Sequence, residues 1–112
     1  MNPIYHITER QAWENAKVTG SYSADSLKTE GFIHCSTLSQ VAASANRFFK
    51  NQSDLVILHI DPNKVKPEIR NELANNGELF PHIYGELNTD AVFKVVDLEV
   101  DEEGLFKLPD EM

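Results

Sequence analysis

Residues 54–61 read Asp-Leu-Val-Ile-Leu-His-Ile-Asp, and this stretch decides the architecture. It is a continuous apolar run of strand length, closed by Asp61-Pro62. A strand that is apolar on both faces must be covered on both, so the run predicts a central strand with packing above and below it. His59 alternates with Leu55 and Ile57 and is read as a packing residue or an edge hydrogen bonder.

Upstream, two strand and helix units lead into this run. Residues 3–7, Pro-Ile-Tyr-His-Ile, have strand composition and stop at Thr8. There Thr8-x-x-Gln11 has the form of a capping box, and Ala12, Trp13 and Ala16 give the helix it opens a short apolar face ending near Gly20. Residues 21–30 read as a loop. Gly31 then opens a second strand over residues 32–35. Thr37-x-x-Gln40 repeats the capping pattern before a helix with Leu38, Val41, Ala42, Ala45 and Phe49 on one face. Downstream of Pro67, strands are expected at residues 68–73, 80–84 and 92–100, separated by Asn-Asn-Gly, Gly-Glu-Leu-Asn and Asp-Glu-Glu-Gly turns. Strand and helix units followed by a run of strands predict an α+β fold, not a wound parallel sheet. The 112 residues read as a single domain, 1–112, with one modest core.

Composition narrows the function classes. The chain is 41% apolar and 25% charged, a soluble globular balance. No apolar run approaches the roughly 20 residues of a membrane span, and no signal-like segment follows Met1. The expected location is the cytoplasm, which agrees with a single cysteine, Cys35. Net charge is −8, with 5 Lys+Arg against 4 Asp+Glu in residues 1–50, and 5 against 14 in residues 51–112. Such a surface repels polyanions unless a local basic pocket overrides the field, so a large nucleic-acid interface is not expected. The acidic residues 97–103 read as a solvated turn and strand end.

Three of the four histidines stand in similar company: Tyr5-His6-Ile7, Ile33-His34-Cys35 and Pro81-His82-Ile83-Tyr84. Each lies where a strand gives way to a cap or turn, and strand ends are where sites are assembled. The helix start at Ser36-Thr37 offers unpaired N–H groups and a positive dipole end to a phosphate, with His34 beside it. Capping by Thr37 competes for those donors. Cys35 points away from His34 and Ser36 and reads as buried. Arg47, on the following helix, faces water or reaches back over the sheet edge. Glu72 is a carboxylate that could orient His82 or act as an acid. Zinc held by His6, His34 and His82 has the residue types of a catalytic site without ligand spacing. No Gly-x-Ser-x-Gly elbow or Gly-rich phosphate loop is present.

These residues, with Gln40-Val41, Asn46-Arg47-Phe48-Phe49, the run from 55 to 61, and Phe80-Pro81-His82-Ile83-Tyr84-Gly85, closely resemble the bacterial family catalogued as domain of unknown function 952. The likeness covers nearly the whole chain. It implies an ADP-ribosylation-like fold: split, curved β-sheets around a cleft that binds NAD in the active enzymes, with two main helices near the N-terminal half. By that likeness His6 matches the histidine that clamps the nicotinamide ribose, and His34-Cys35-Ser36-Thr37 lies at the second motif. Glu72 is the best candidate for the third-motif glutamate, whereas Glu86 stands where the family often has proline. The histidines are also similar to those of the RNA 2′-phosphotransferase branch, which needs more basic residues than this chain has. The resemblance implies a cleft lined by His6, His34 and His82, with NAD or a related phosphorylated nucleotide held by Ser36, Thr37, Arg47 and Tyr84. Glu72 would assist transfer of ADP-ribose, and no metal is expected. Two other functions stay open: a non-catalytic module for a small ligand or protein, and a metal-dependent enzyme using the three histidines.

Overall fold

The computed structural model describes residues 2–112. In chain order the strands and helices are β1 (Ile4–Glu9), α1 (Arg10–Thr19), β2 (Ser21–Tyr22), α2 (Asp25–Thr29), β3 (Ile33–His34), α3 (Val41–Phe48), β4 (Leu55–Ile60), β5 (Glu68–Leu73), β6 (Leu79–Tyr84), β7 (Leu87–Asn88), β8 (Val92–Asp97), β9 (Glu99–Val100) and β10 (Phe106–Lys107). The result is an α+β arrangement of small antiparallel sheets, with its two longer helices, α1 and α3, before residue 50.

The apolar run behaves as its composition demands. All six residues of β4 are buried, and the strand lies between β1 and β8, antiparallel to both. Its side chains alternate between two cores. Val56, Leu58 and Ile60 pack with Ile4, Trp13, Ile33, Ile83 and Leu87, whereas Leu55 and Ile57 pack with Tyr5, Ile7, Val41, Ala45 and Phe106. Each fully buried side chain of this size contributes roughly 1.5–3 kcal/mol. Because β4 serves both cores, it is the element the others are built around.

A second sheet, in the order β3, β6, β5, packs against the first core through Ile33, Ile83 and Ile69. The chain passes between the sheets at residues 34–36: the Cys35 N–H still donates to the Pro81 carbonyl at 3.0 Å, while Ser36 exchanges backbone hydrogen bonds with Tyr5 at 2.8 Å each. This crossing is why β3 is only two residues long instead of the expected four.

Other expectations need correction. Thr8 does not cap α1, because β1 continues to Glu9 in register with Leu55, and the β-branched Thr8 is buried inside the sheet. The α1 start has no side-chain cap; the Arg10 N–H donates instead to the Asp54 carbonyl at 2.9 Å. Residues 21–30 are not a plain loop, since β2 pairs with β7 and α2 makes one helical turn. Two paired residues and a five-residue helix are too short to show periodicity. The Thr37 box does form, with Gln40 Oε1 accepting the Thr37 N–H at 3.0 Å, but it caps a 3₁₀ turn at Leu38–Gln40 that leads into α3. The strand expected over residues 92–100 breaks at Leu98, which is buried and donates its N–H to the Leu55 carbonyl. Among the described residues no helix is long and apolar enough to cross a membrane.

Candidate functional site

Strand alternation in the second sheet sorts its residues onto two faces. Ile33, Ile83 and Ile69 are paired across the three strands and face the core; the next row, His34, His82 and Arg70, is paired in the same way and faces outward. Glu72 lies two residues along β5 from Arg70, and Tyr84 two along β6 from His82, so both share the outer face. Phe32, just before β3, completes it.

The side chains on this face form one connected group. Glu72 Oε1 accepts a hydrogen bond from the Tyr84 hydroxyl at 2.5 Å and lies 2.8 Å from His82 Nδ1. The Phe32 ring stacks on the His82 ring with centroids 4.1 Å apart, and the His34 and His82 rings meet edge to face at 5.2 Å. His34 Nε2 is paired with Glu30 at 2.9 Å. The Arg70 guanidinium sits over the Tyr84 ring at 4.3 Å and bonds Glu68 at 3.0 Å. The Tyr84 hydroxyl, and after it His82, hold the Glu72 carboxyl below its ordinary value, and the same bond to Glu72 pushes the Tyr84 phenol up. His82 is the sheltered member, its side chain 14% exposed against 52% for His34.

A carboxylate on Nδ1 fixes the tautomer of His82 and leaves Nε2 with its lone pair. This is the arrangement of a general base with an orienting partner. His34 is a second imidazole with its own carboxylate, one strand away.

The structure thus brings together His34, His82, Glu72 and Tyr84. It does not bring His6 to them, and the expected cleft lined by three imidazoles is corrected on this point. His6 is buried behind the sheet, where its Nδ1 lies 2.5 Å from the His34 carbonyl oxygen and its Nε2 lies 2.7 Å from the Tyr22 hydroxyl. The Thr8 hydroxyl, 2.9 Å away, is the second partner of the Tyr22 oxygen. Burial lowers the His6 pKa to about 4, so at neutral pH the ring is uncharged, donating from Nδ1 and accepting at Nε2. It ties the backbone of His34 to the first sheet; it does not reach the ring face.

At the helix start expected to hold an anion, the donors of Ser36 and Thr37 already have partners. The Ser36 N–H is used by the Tyr5 carbonyl and the Thr37 N–H by Gln40, and Ser36 Oγ bonds Ser44 at 3.1 Å. Arg47 is exposed on α3 with its guanidinium 5.2 Å from the centre of the Phe48 ring, and it shares no ring contact or hydrogen bond with the histidines among the described residues. Cys35 is buried, and burial pushes its thiol well above the ordinary range, so it is no nucleophile. Among the described residues no three His, Cys, Asp or Glu side chains group as metal ligands, so the three-histidine zinc arrangement is not assembled.

The sequence reading missed Phe32, Arg70 and Glu30. Arg70 alternates with Ile69 as His82 does with Ile83, and that shared in and out pattern was the available signal.

Comparison with family models matches residues 7–95 to the family described as Protein of unknown function (DUF952), and the chain belongs to that family. Among solved structures it is similar to protein CC0527 from Caulobacter crescentus. The crystal structure of that protein is 31% identical over 97% of this chain and 96% of that one, with a TM-score of 0.89. Its solution NMR structure is 31% identical over 100% and 97%, with a TM-score of 0.84. Comparison with curated proteins finds no match.

Proposed function

We propose that this chain is a small cytoplasmic protein of ADP-ribosylation-like fold whose outer sheet face binds NAD or a related nucleotide and transfers ADP-ribose from it. The observation that carries this reading is Glu72 Oε1 shared between the Tyr84 hydroxyl and His82. It gives a candidate third-motif carboxylate one imidazole and one phenol neighbour, and its other oxygen stays free for a ribose hydroxyl. In the transfer, the bond between ribose C1′ and the nicotinamide nitrogen breaks and nicotinamide leaves with the electron pair. The acceptor forms the new bond to C1′ and gives up its proton to solvent. The protein's part is to hold the ribose and stabilise charge developing on it, which is where fixed carboxylates act most strongly.

The test is thermal unfolding of the native chain with millimolar NAD, ADP-ribose or AMP. A ligand at 100 times its Kd raises stability by about 2.7 kcal/mol. Stabilisation by NAD that Glu72→Gln abolishes, while the variant stays folded, supports the reading; no stabilisation by any of the three sinks it.

One observation favours a second reading, a binding module without catalysis: His6, the match to the ribose clamp, is buried away from the face. Nicotinamide release measured on a chain shown to bind NAD separates the two.

A further inference from the structure

The outer face is rich in hydrogen-bond acceptors, and its cation, Arg70, already pairs with a carboxylate. Glu72 takes the Nδ1–H of His82 and Glu30 takes the Nε2–H of His34, so in its uncharged form each ring is left with one lone-pair nitrogen. These nitrogens, His82 Nε2 and His34 Nδ1, have no hydrogen-bond partner among the described residues. They belong to residues paired directly across β3 and β6, with rings 5.2 Å apart. The cation present, Arg70, bonds Glu68 and covers Tyr84, so one guanidinium stands among three carboxylates, Glu30, Glu68 and Glu72.

A phosphate requires donors and surplus positive charge. This face has no surplus positive charge, since Arg70 is paired with Glu68, and Glu30 and Glu72 stand on the same face. A pair of adjacent hydroxyls supplies two donors to two acceptors, each at about 2.8 Å, and the apolar edge of a sugar lies well against an aromatic ring such as Phe32. We propose that the group held jointly by His34 and His82 is the vicinal diol of a pentose, one hydroxyl donating to each imidazole, with any phosphate of the ligand held off this face. This rests on the nucleotide reading above and specifies which part of the ligand the face recognises.

The experiment follows the His34 and His82 ring resonances of the labelled native chain by NMR at about pH 8, above the ordinary imidazole range. Adenosine, 2′-deoxyadenosine and inorganic phosphate are the probes. Adenosine is expected to shift both rings, and 2′-deoxyadenosine to bind about tenfold more weakly for the loss of one hydrogen bond. Phosphate is expected to move neither ring and not to compete. In one of His34→Ala and His82→Ala, each kept folded, the preference for adenosine over its deoxy analogue should vanish. Equal binding of the two nucleosides, a preference that survives in both variants, displacement of adenosine by phosphate, or no shift with adenosine overturns the proposal. If NAD stabilises the chain while the nucleosides are not distinguished, the diol assignment fails and the nucleotide reading stands. If adenosine behaves as expected and NAD has no effect, the reverse holds.

Discussion

The two three-stranded sheets use the same residue type in opposite ways. In the sheet of β1, β4 and β8, His6 is enclosed, neutral and committed at both ring nitrogens to the His34 carbonyl and Tyr22. In the sheet of β3, β6 and β5, His82 has a carboxylate on one nitrogen and a free lone pair on the other, on a face open to a ligand. The difference teaches that an imidazole is chemically available through what its second nitrogen meets, not through the strand it sits on. His6, closed in and bonded at both nitrogens, offers no such vacancy, whereas the outer row of the second sheet does, and that row is the candidate site.

The comparison breaks most heavily at β4. Leu58→Ala opens a cavity in the first core, and the native state should lose roughly 3–4 kcal/mol in urea unfolding. A loss below about 1 kcal/mol would mean that β4 is not the fully packed centre described here.

The next effect is the pH dependence of His6. Its folded pKa, about 4, lies below the ordinary 6.5, so the unfolded chain takes up the proton first as pH falls. The neutral ring's contribution is therefore complete above pH 6.5, declines through the window from 6.5 to 4, and is lost below it, amounting to about 3 kcal/mol. Unfolding curves of the native chain and His6→Asn should converge by that amount between neutral pH and pH 4. Parallel curves would show that His6 is not a buried neutral ring.

A subtler change tests the link between the sheets. His6→Asn keeps a donor where Nδ1 stood and should preserve the NMR contact between the His34 and His82 rings. His6→Gln places its amide nearer the Nε2 position and should weaken that contact. Identical behaviour of the two folded variants would remove the His34 carbonyl from the account.

Smaller still is Glu72→Gln, which removes the charge that holds the Tyr84 proton. The phenol should titrate at lower pH by ultraviolet absorbance, with unfolding scarcely changed because the pair lies at the surface. An unmoved Tyr84 would contradict the shared oxygen. Least of all, the buried Cys35 should not react with thiol reagents until the chain unfolds.

Much of this was open to reading in advance. The apolar run at β4, the Thr37 and Gln40 box, and the strands β5 and β6 follow from local pattern. His34, His82 and Glu72 were named from residue type and position, and Tyr84 through the family resemblance. Thr8 was misread because the capping pattern and the strand pattern overlap there, and pairing of Glu9 with Leu55 decided for the strand. His6 was misplaced because its flanks match those of His82, while its neighbours in space, Tyr22 and the His34 carbonyl, lie 16 and 28 residues away.

By itself, then, the amino-acid order determined which segments must be buried, which alternate, and which residue types could do chemistry, since these depend on spacings of two to four residues along one chain. Tertiary structure alone decided that His34, His82 and Arg70 share a row, that Glu72 meets His82, and that His6 turns inward. Those outcomes depend on cross-strand register, and register is chosen by the simultaneous packing of two cores on either side of β4, which no short window of sequence contains.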